Sequence, residues 1–424
     1  MNAATLMDKA RALDAADLLR RFRDAFTLPH GADGKPLVYL SGHSLGLAPL
    51  RAREMVNEEL DNWDQLAVLG HHTGRRPWIG YAEQLQEGLA RLTGATASEV
   101  VAMNSLTVNL HLLMASFYRP TAQRHRIVIE AGAFPSDRHA VASQIAWHGF
   151  DPAESLIELS PHLGTDVLEE SQLEALLAER GDRIALVLWP GVQYLTGQCF
   201  DIQRIAHAAN RAGARCGIDL AHSIGNLRLR LHDSEIDFAT WCSYKYLNAG
   251  PGAIGGAFVH ARHSRKELPG LAGWWGHDPA TRFQMGPAFV PATGAAGWQV
   301  SNPPILSTAP LLASLRLFDE AGMPALRAKS LALHALLREA VETRLGDALA
   351  CVTPAQDARH GCQLSLRVRG HRDSGRQVFE RLLQLGVVAD WREPDILRVA
   401  PVPLYNSFVD VATFVERLEQ ALAT

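Results

Sequence analysis

An apolar run beginning at Phe238 ends in a lysine: Trp241-Cys-Ser-Tyr-Lys245-Tyr-Leu-Asn-Ala-Gly-Pro-Gly252. Burying an ammonium is costly, so a lysine at the end of an apolar strand calls for a reason. Strand ends followed by glycines are where open α/β sheets bind ligands. Desolvated there, Lys245 would lose its proton readily and attack a carbonyl. Asp219, in Gly217-Ile-Asp219-Leu-Ala-His222-Ser, ends another apolar run 26 residues earlier. A third segment, Asn104-Ser-Leu106-Thr107-Val-Asn, puts hydroxyls where a strand hands over to a helix, and helix starts bind phosphate through free N–H groups. Each feature has an ordinary alternative. Lys245 alone reads as a surface lysine, and Asp219, Ser105 and Thr107 read as helix caps. Together, the lysine and carboxylate at neighbouring strand ends are the pair that pyridoxal phosphate requires. The lysine bonds its aldehyde, and the carboxylate keeps its pyridine nitrogen protonated.

Competing motifs fail on context. Gly250-Pro-Gly252-Ala-Ile-Gly255 matches G-x-G-x-x-G, but the following GGAFVHAR reads as a strand, where a dinucleotide fingerprint opens a helix. Asp278, at the distance of a ribose partner, falls in the loop GWWGHDPA. No phosphate-binding P-loop, H-E-x-x-H or G-x-S-x-G occurs, and His71-His72 has no metal-ligand spacing around it, so no metal site is expected.

The elements that must hold these residues alternate. Strands are expected at Val100–Met103, Arg126–Glu130, Ile184–Trp189, Cys216–Leu220, Phe238–Ser243 and Gly256–His260. Helices are expected at Leu106–Tyr118, within Phe134–Trp147 after a turn, and at Ile202–Ala214. This order predicts an α/β fold with a mostly parallel sheet covered on both faces. After about residue 310 the pattern changes to two long helices near 309–345, strands at Cys362–Val368, Val387–Ala389 and Ile396–Val399, and a closing helix at Asp410–Leu422. The expected division is a large cofactor-binding domain over 46–309 and a smaller α+β domain made of 1–45 and 310–424. Leu13, Leu18, Leu19, Phe22 and Phe26 predict an amphipathic N-terminal helix that joins the small domain.

Composition bounds the rest. The 424 residues are 47% hydrophobic and 20% charged, the balance of a globular protein. A net charge of −4 gives no basic surface for nucleic acid. The five cysteines form no C-x-x-C pair, which suits a reducing compartment. With no apolar leader and no run long enough for a bilayer, a cytoplasmic protein without a membrane partner is expected.

The segments SLGLAPL, SLTVNLHLLM, AFPSDRHAV, GVQYLTGQ, DLAHSIGN, CSYKYLNAGPG, LAGWWGH, TRFQM, SNPPI and RVAPVPLYNSF resemble the kynureninase family in the same order, from about residue 40 to about residue 410. The resemblance implies the fold-type-I aminotransferase architecture and a homodimer. It implies hydrolysis of L-kynurenine to anthranilate and L-alanine, or of 3-hydroxy-L-kynurenine to 3-hydroxyanthranilate and L-alanine, with pyridoxal 5'-phosphate as cofactor in tryptophan degradation or NAD synthesis. It makes Lys245 the Schiff-base lysine, Asp219 the partner of the pyridine nitrogen and His222 a neighbour of the cofactor. Phe134 would stack on the ring, and Pro135, Ser136 and Asp137 complete that turn. Leu106, Thr107 and Tyr244 would hold the phosphate. Trp274 and Asn302 would reach the site from the partner subunit, Ser44 would border the substrate, and Arg398 would take its carboxylate. Lys245 and Tyr244 are the candidates for the proton transfers. Two departures stand out. Ser41-Gly-His43-Ser44 replaces the usual Asp-Gly-Asn-Ser, and Pro190 stands where relatives carry a hydroxyl residue.

His71, in GHHTGRRPW, and Asn302 resemble the form of the family that prefers the 3-hydroxy substrate, since both can hydrogen-bond the extra hydroxyl. The alternatives are another fold-type-I enzyme, such as a cysteine desulfurase or an aminotransferase, and a non-catalytic relative that only binds. A desulfurase needs a mobile loop cysteine, which neither Cys351 nor Cys362 resembles. Intact Lys245, Asp219 and Tyr244 argue against the binding protein.

Overall fold

A computed structural model describes residues 3–370 and 372–423. Its strands, in chain order, are β1 Val38–Tyr39, β2 Val100–Ala102, β3 Arg126–Glu130, β4 Leu156–Leu159, β5 Ile184–Pro190, β6 Arg215–Asp219, β7 Phe238–Trp241, β8 Gly256–Val259, β9 Leu349–Cys351, β10 Leu364–Val368, β11 Val387–Val388, β12 Asp390–Arg392 and β13 Ile396–Val399. Seven of them form one sheet in the order β2-β8-β7-β6-β5-β3-β4. From β7 to β4 every neighbouring pair is parallel. Only β8 runs against its neighbours β2 and β7. The central strands β5, β7 and β8 are almost wholly apolar, broken only by buried Thr240, because helices cover both faces and leave no solvated side to alternate toward. The α/β, mostly parallel architecture read from the sequence is therefore present.

Helices Leu106–Phe117 and Pro135–Trp147 follow β2 and β3, and Ile202–Arg211 lies between β5 and β6. The Gly250–Gly255 segment runs into β8, a strand, so the rejected dinucleotide motif has no helix to open. A second, four-stranded antiparallel sheet has the order β12-β13-β10-β9, and β1 pairs with β11 in parallel. A separate core gathers Leu6 and Ala10 with Leu333, Leu337, Leu366, Leu397, Phe414 and Leu418.

The N-terminal helix spans Ala3–Ala16 and buries Leu6 and Ala10. Asp14 near its end accepts hydrogen bonds from the N–H groups of Phe408 and Val409, at the start of helix Phe408–Leu422. The expected amphipathic stripe stops short of Leu18, which is fully turned to solvent at 91% exposure. Asp17 breaks the helix: its carboxylate accepts from Leu19 N–H at 2.9 Å and pairs with buried Lys329 at 2.8 Å. Leu19, Phe22 and Phe26 then pack from a short 3₁₀ turn into the core of the large sheet, as do residues of helix Ile305–Ala321. Apolar packing thus runs across the boundaries at 45 and 309.

Candidate active site

Parallel strands all end on one side of their sheet, so side chains at their carboxyl ends converge without any contact in sequence. Asp219 is the last residue of β6, Glu130 the last of β3, Pro190 the last of β5, and Lys245 follows β7 by one turn. One pocket is lined by Leu106, Thr107, Glu130, Phe134, Ser136, Asp137, Pro190, Val192, Tyr194, Asp219, Ala221, His222, Tyr244 and Lys245. Nine residues named from the sequence meet there: Leu106, Thr107, Phe134, Ser136, Asp137, Asp219, His222, Tyr244 and Lys245. Pro135 begins the helix behind Phe134 and does not line it.

The Lys245 Nζ lies 3.0 Å from His222 Nε2 and faces the rings of Phe134 and Tyr244 at 5.7 and 5.9 Å. Burial, reinforced by the charge of Lys245, holds the His222 imidazole well below its usual pKa, so it is neutral and its Nε2 accepts from the lysine. Its Nδ1 is buried without a partner. Asp219 accepts from the Ala221 N–H at 2.6 Å, which fixes its carboxylate as a turn rather than a helix cap. Burial pushes the carboxyls of Glu130 and Asp137 well above their ordinary range, and the nearby charge of Asp219 adds to both shifts. Asp137 Oδ1 also lacks a partner. The Tyr244 phenol is pushed up by burial and stays protonated. At the other end, helix Leu106–Phe117 starts without any side-chain cap, and Thr107 Oγ1 bonds Ser136 Oγ at 2.7 Å. Phe134, on its own readable as core, is 40% exposed and stands edge-on to Tyr194.

This arrangement has the parts that pyridoxal phosphate needs: a lysine, an acidic corner for a cationic ring nitrogen, orphaned buried polar atoms, and an uncapped helix start bearing hydroxyls for a phosphate.

Arg398 is 1% exposed, not the solvated strand residue that it could have been. It lies on β13 opposite Asp390 of β12. Its guanidinium donates to Asp390 Oδ2 at 2.8 Å and to the Tyr194 carbonyl at 2.5 Å, while its Nε has no partner. The Ser41–Gly46 loop packs between this arm and the lysine: Gly46 N–H donates to the Tyr244 carbonyl at 2.8 Å. A Cβ on Gly46 would sit 2.3 Å from the Lys245 carbonyl oxygen, so the approach requires glycine. Ser44 is half-buried in this loop, and its N–H donates to the Ser41 carbonyl.

His71, Trp274 and Asn302 do not line the Lys245 pocket. They line a second one with His72, Trp78, Ile79, Trp275, Phe283, Pro303 and Ile305. All three are exposed in the single chain, although the neighbouring Trp275 is buried. Glu130, Val192, Tyr194 and Ala221 were missed from the sequence. Glu130 was open to the same strand-end argument as Asp219. Away from the pocket, Glu99, His232 and His260 cluster, with Glu99 bonded to the Ala261 N–H and His260 to the Arg262 N–H.

The fold and this pocket define a pyridoxal-phosphate enzyme of fold type I. Its architecture is shared with the cysteine desulfurase CsdA of Escherichia coli (TM-score 0.74, 19% identity, 96% of this chain and 98% of that one). It is shared likewise with a cysteine desulfurase of Thermococcus onnurineus NA1 (TM-score 0.74, 16% identity, 91% of this chain and 95% of that one). In sequence, residues 326–418 match the kynureninase C-terminal domain. A kynureninase of Xanthomonas campestris pv. campestris (strain B100) is 59% identical over 97% of this chain and 96% of its own length. One of Stenotrophomonas maltophilia (strain K279a) is 58% identical over 97% of each. The chain belongs to the kynureninase family, pyridoxal-phosphate-dependent hydrolases of carbon–carbon bonds.

Proposed function

We propose that this enzyme hydrolyses 3-hydroxy-L-kynurenine in preference to L-kynurenine, in a site that two copies of the chain build together. Hydrolysis of kynurenine follows from the family; the preference and the sharing are the new steps. The carrying observation is the pairing of His71 with Asn302 in a pocket otherwise walled mainly by aromatic rings, Trp78, Trp274, Trp275 and Phe283. Such walls suit an aminophenyl ketone, and the two polar side chains offer hydrogen bonds to one added hydroxyl. A site that hydrogen-bonds a substrate hydroxyl penalises the analogue lacking it, because its own polar groups are left unpaired. The three residues are exposed and apart from Lys245 in one chain, which suits residues that a partner subunit presents to its neighbour.

Pyridoxal phosphate, when bound, supplies an aldehyde that bonds amines and a protonated ring that withdraws electrons from the substrate's α-carbon. Asp219 holds the charge that keeps such a ring protonated. Leu106 and Thr107 would hold the phosphate at the helix start, with Tyr244 donating a hydrogen bond to it, and Phe134 would stack on the ring, with Pro135, Ser136 and Asp137 completing that turn. Trp274 and Asn302 cover the cofactor from the partner. The Lys245 amine would take the substrate's α-proton, with His222 at 3.0 Å orienting its Nζ. Tyr244, protonated at rest, would lend its proton during turnover and take it back before the next cycle. Arg398 receives the α-carboxylate, with Ser44 beside it. The products are L-alanine and the aromatic amine. We read residues 46–309 as the cofactor-binding domain and 1–45 with 310–424 as the small domain. Five unpaired cysteines support a cytoplasmic enzyme of tryptophan degradation or NAD synthesis. No described helix is long and apolar enough to cross a membrane. Desulfurase chemistry is disfavoured because no cysteine is exposed: Cys216, Cys242 and Cys362 are buried, and Cys199 and Cys351 half-buried with thiol pKa values raised by burial.

The test is turnover of the cofactor-loaded protein on both substrates side by side, following the released aromatic amine. A higher kcat/KM for the 3-hydroxy compound is expected. The reverse order refutes the preference, and no turnover of either refutes the substrate class.

A further inference from the structure

We propose that His43 is a second receptor, beside Arg398, for the substrate's α-carboxylate; the idea rests on the function proposed above. His43 stands where the family's usual wording has asparagine. Its ring is fully buried, and neither Nδ1 nor Nε2 has a hydrogen-bond partner. Buried polar groups without partners are rare, because nothing offsets their desolvation. Asp390 Oδ2 is 3.8 Å from Nε2, beyond hydrogen-bond reach. That oxygen is already taken by Arg398 at 2.8 Å and Arg392 at 3.1 Å. Arg398 Nε is also buried and unpartnered. Donors on both side chains are thus left unused around one carboxylate.

The charges explain what is missing. Arg398, Arg392 and Lys245 act on His43, with Asp390 facing them, the His222 ring 6.5 Å away and Tyr39 beside Asp390. Burial, then these three cations, hold the His43 pKa well below the usual histidine value. The ring is therefore neutral, with one N–H to give. One further anion in this corner completes the pairing. A carboxylate accepts from His43 and from Arg398 Nε and offsets the excess positive charge. Tyr194 connects the corner to the lysine: it lines the Lys245 pocket, and its ring lies 5.8 Å from the Arg398 guanidinium. A substrate whose amine is at Lys245 reaches the corner past Tyr194.

The experiment titrates the cofactor-loaded protein with L-alanine, and separately with L-alaninamide, which lacks the carboxylate, following the cofactor absorption band. His43→Leu should weaken L-alanine about ten- to a hundredfold, the worth of a hydrogen bond to a charged group, and leave L-alaninamide unchanged. His43→Asn, which keeps an N–H donor, should recover most of the loss. In the unaltered protein, L-alanine should shift the His43 ring nitrogen NMR signals and L-alaninamide should not. Unchanged L-alanine binding in His43→Leu overturns the proposal, as does equal weakening of both ligands or the absence of a ring shift. Turnover assays alongside separate the two readings. Carboxylate discrimination without turnover of either kynurenine refutes the substrate and spares His43, whereas turnover with unchanged L-alanine binding in His43→Leu does the reverse.

Discussion

Two inactive variants, mixed, should restore activity. In one chain Lys245 lines one pocket, while Trp274 and Asn302 line another from exposed positions. If each site takes its lysine from one subunit and its Trp274 and Asn302 from the other, the two defects are separable. Lys245→Ala removes the lysine, and Trp274→Ala with Asn302→Ala removes the partner's contribution. A mixed dimer then has one site with both defects and one with neither. Random pairing of equal amounts makes about half the dimers mixed, so about a quarter of wild-type sites return. The assay is aromatic-amine release after co-expression with distinct affinity tags, with the mixed dimer also purified by both tags; its expected activity is about half that of wild type per dimer. A doubly tagged dimer no more active than its parents places every catalytic part within one chain and refutes the shared site.

Other perturbations read separate parts of the site. Tyr244→Phe should still bind cofactor, more weakly by the one lost phosphate hydrogen bond, and when loaded should turn over about a hundredfold more slowly, the usual loss for a positioned proton donor; near-normal turnover removes Tyr244 from the chemistry. His71→Trp with Asn302→Thr should move the kcat/KM ratio toward L-kynurenine by about tenfold or more, and an unchanged ratio rules out both as readers of the hydroxyl. Asp237, fully buried, accepts from the Cys216 N–H at 2.7 Å, His263 at 2.7 Å and Arg262 at 2.9 Å. Burial raises its pKa, but these bonds and charges outweigh that and leave it below the usual value. Its stabilisation is thus complete above the unfolded carboxylate pKa and lost as pH falls through the folded one. Asp237→Asn should cost about 3 kcal/mol at pH 7, seen as a lower urea midpoint, and less at acid pH; equal costs at both contradict the shift.

The sequence announced some elements and hid others for physical reasons. β5, β6, β7 and β8 are buried on both faces along nearly all their length, so each is mostly apolar and can be read directly. β4 lies at the sheet edge, half exposed, and its Leu-Ile-Glu-Leu carries too little pattern. Helix Leu50–Leu66 escaped notice because it buries only Met55 and Glu59. Helix Ile305–Ala321 starts four residues before the expected 309 and carries Pro310 as its sixth residue, past the first turn, where the missing N–H removes one bond of the helical ladder. The end of the N-terminal helix turned on the Asp17–Lys329 pair, a contact between residues far apart in sequence.

The same reasoning separates the parts of the site. Lys245 and Asp219 could be placed because a parallel sheet makes strand ends converge, a rule that needs only the strands. Applied to β3 it yields Glu130 as well, so the acidic corner was available in full from the chain. The basic corner was not. Asp390 meets Arg398 only through the antiparallel register of two short strands, and His43 meets both only because the loop carrying Gly46 is pressed against Lys245. An amino acid has an amine and a carboxylate at fixed separation; the pocket offers a lysine in an acidic setting, and beyond Tyr194 a buried arginine stands in a basic one. On the proposed reading that division would orient any α-amino acid, and nothing in it would read the aromatic end. Selection among kynurenines would then come from elsewhere, and the pocket that holds His71 and Asn302 has the rings and polar atoms for it. Changes at His71 should alter which kynurenine is used and leave L-alanine binding as it was, whereas changes at His43 should do the opposite.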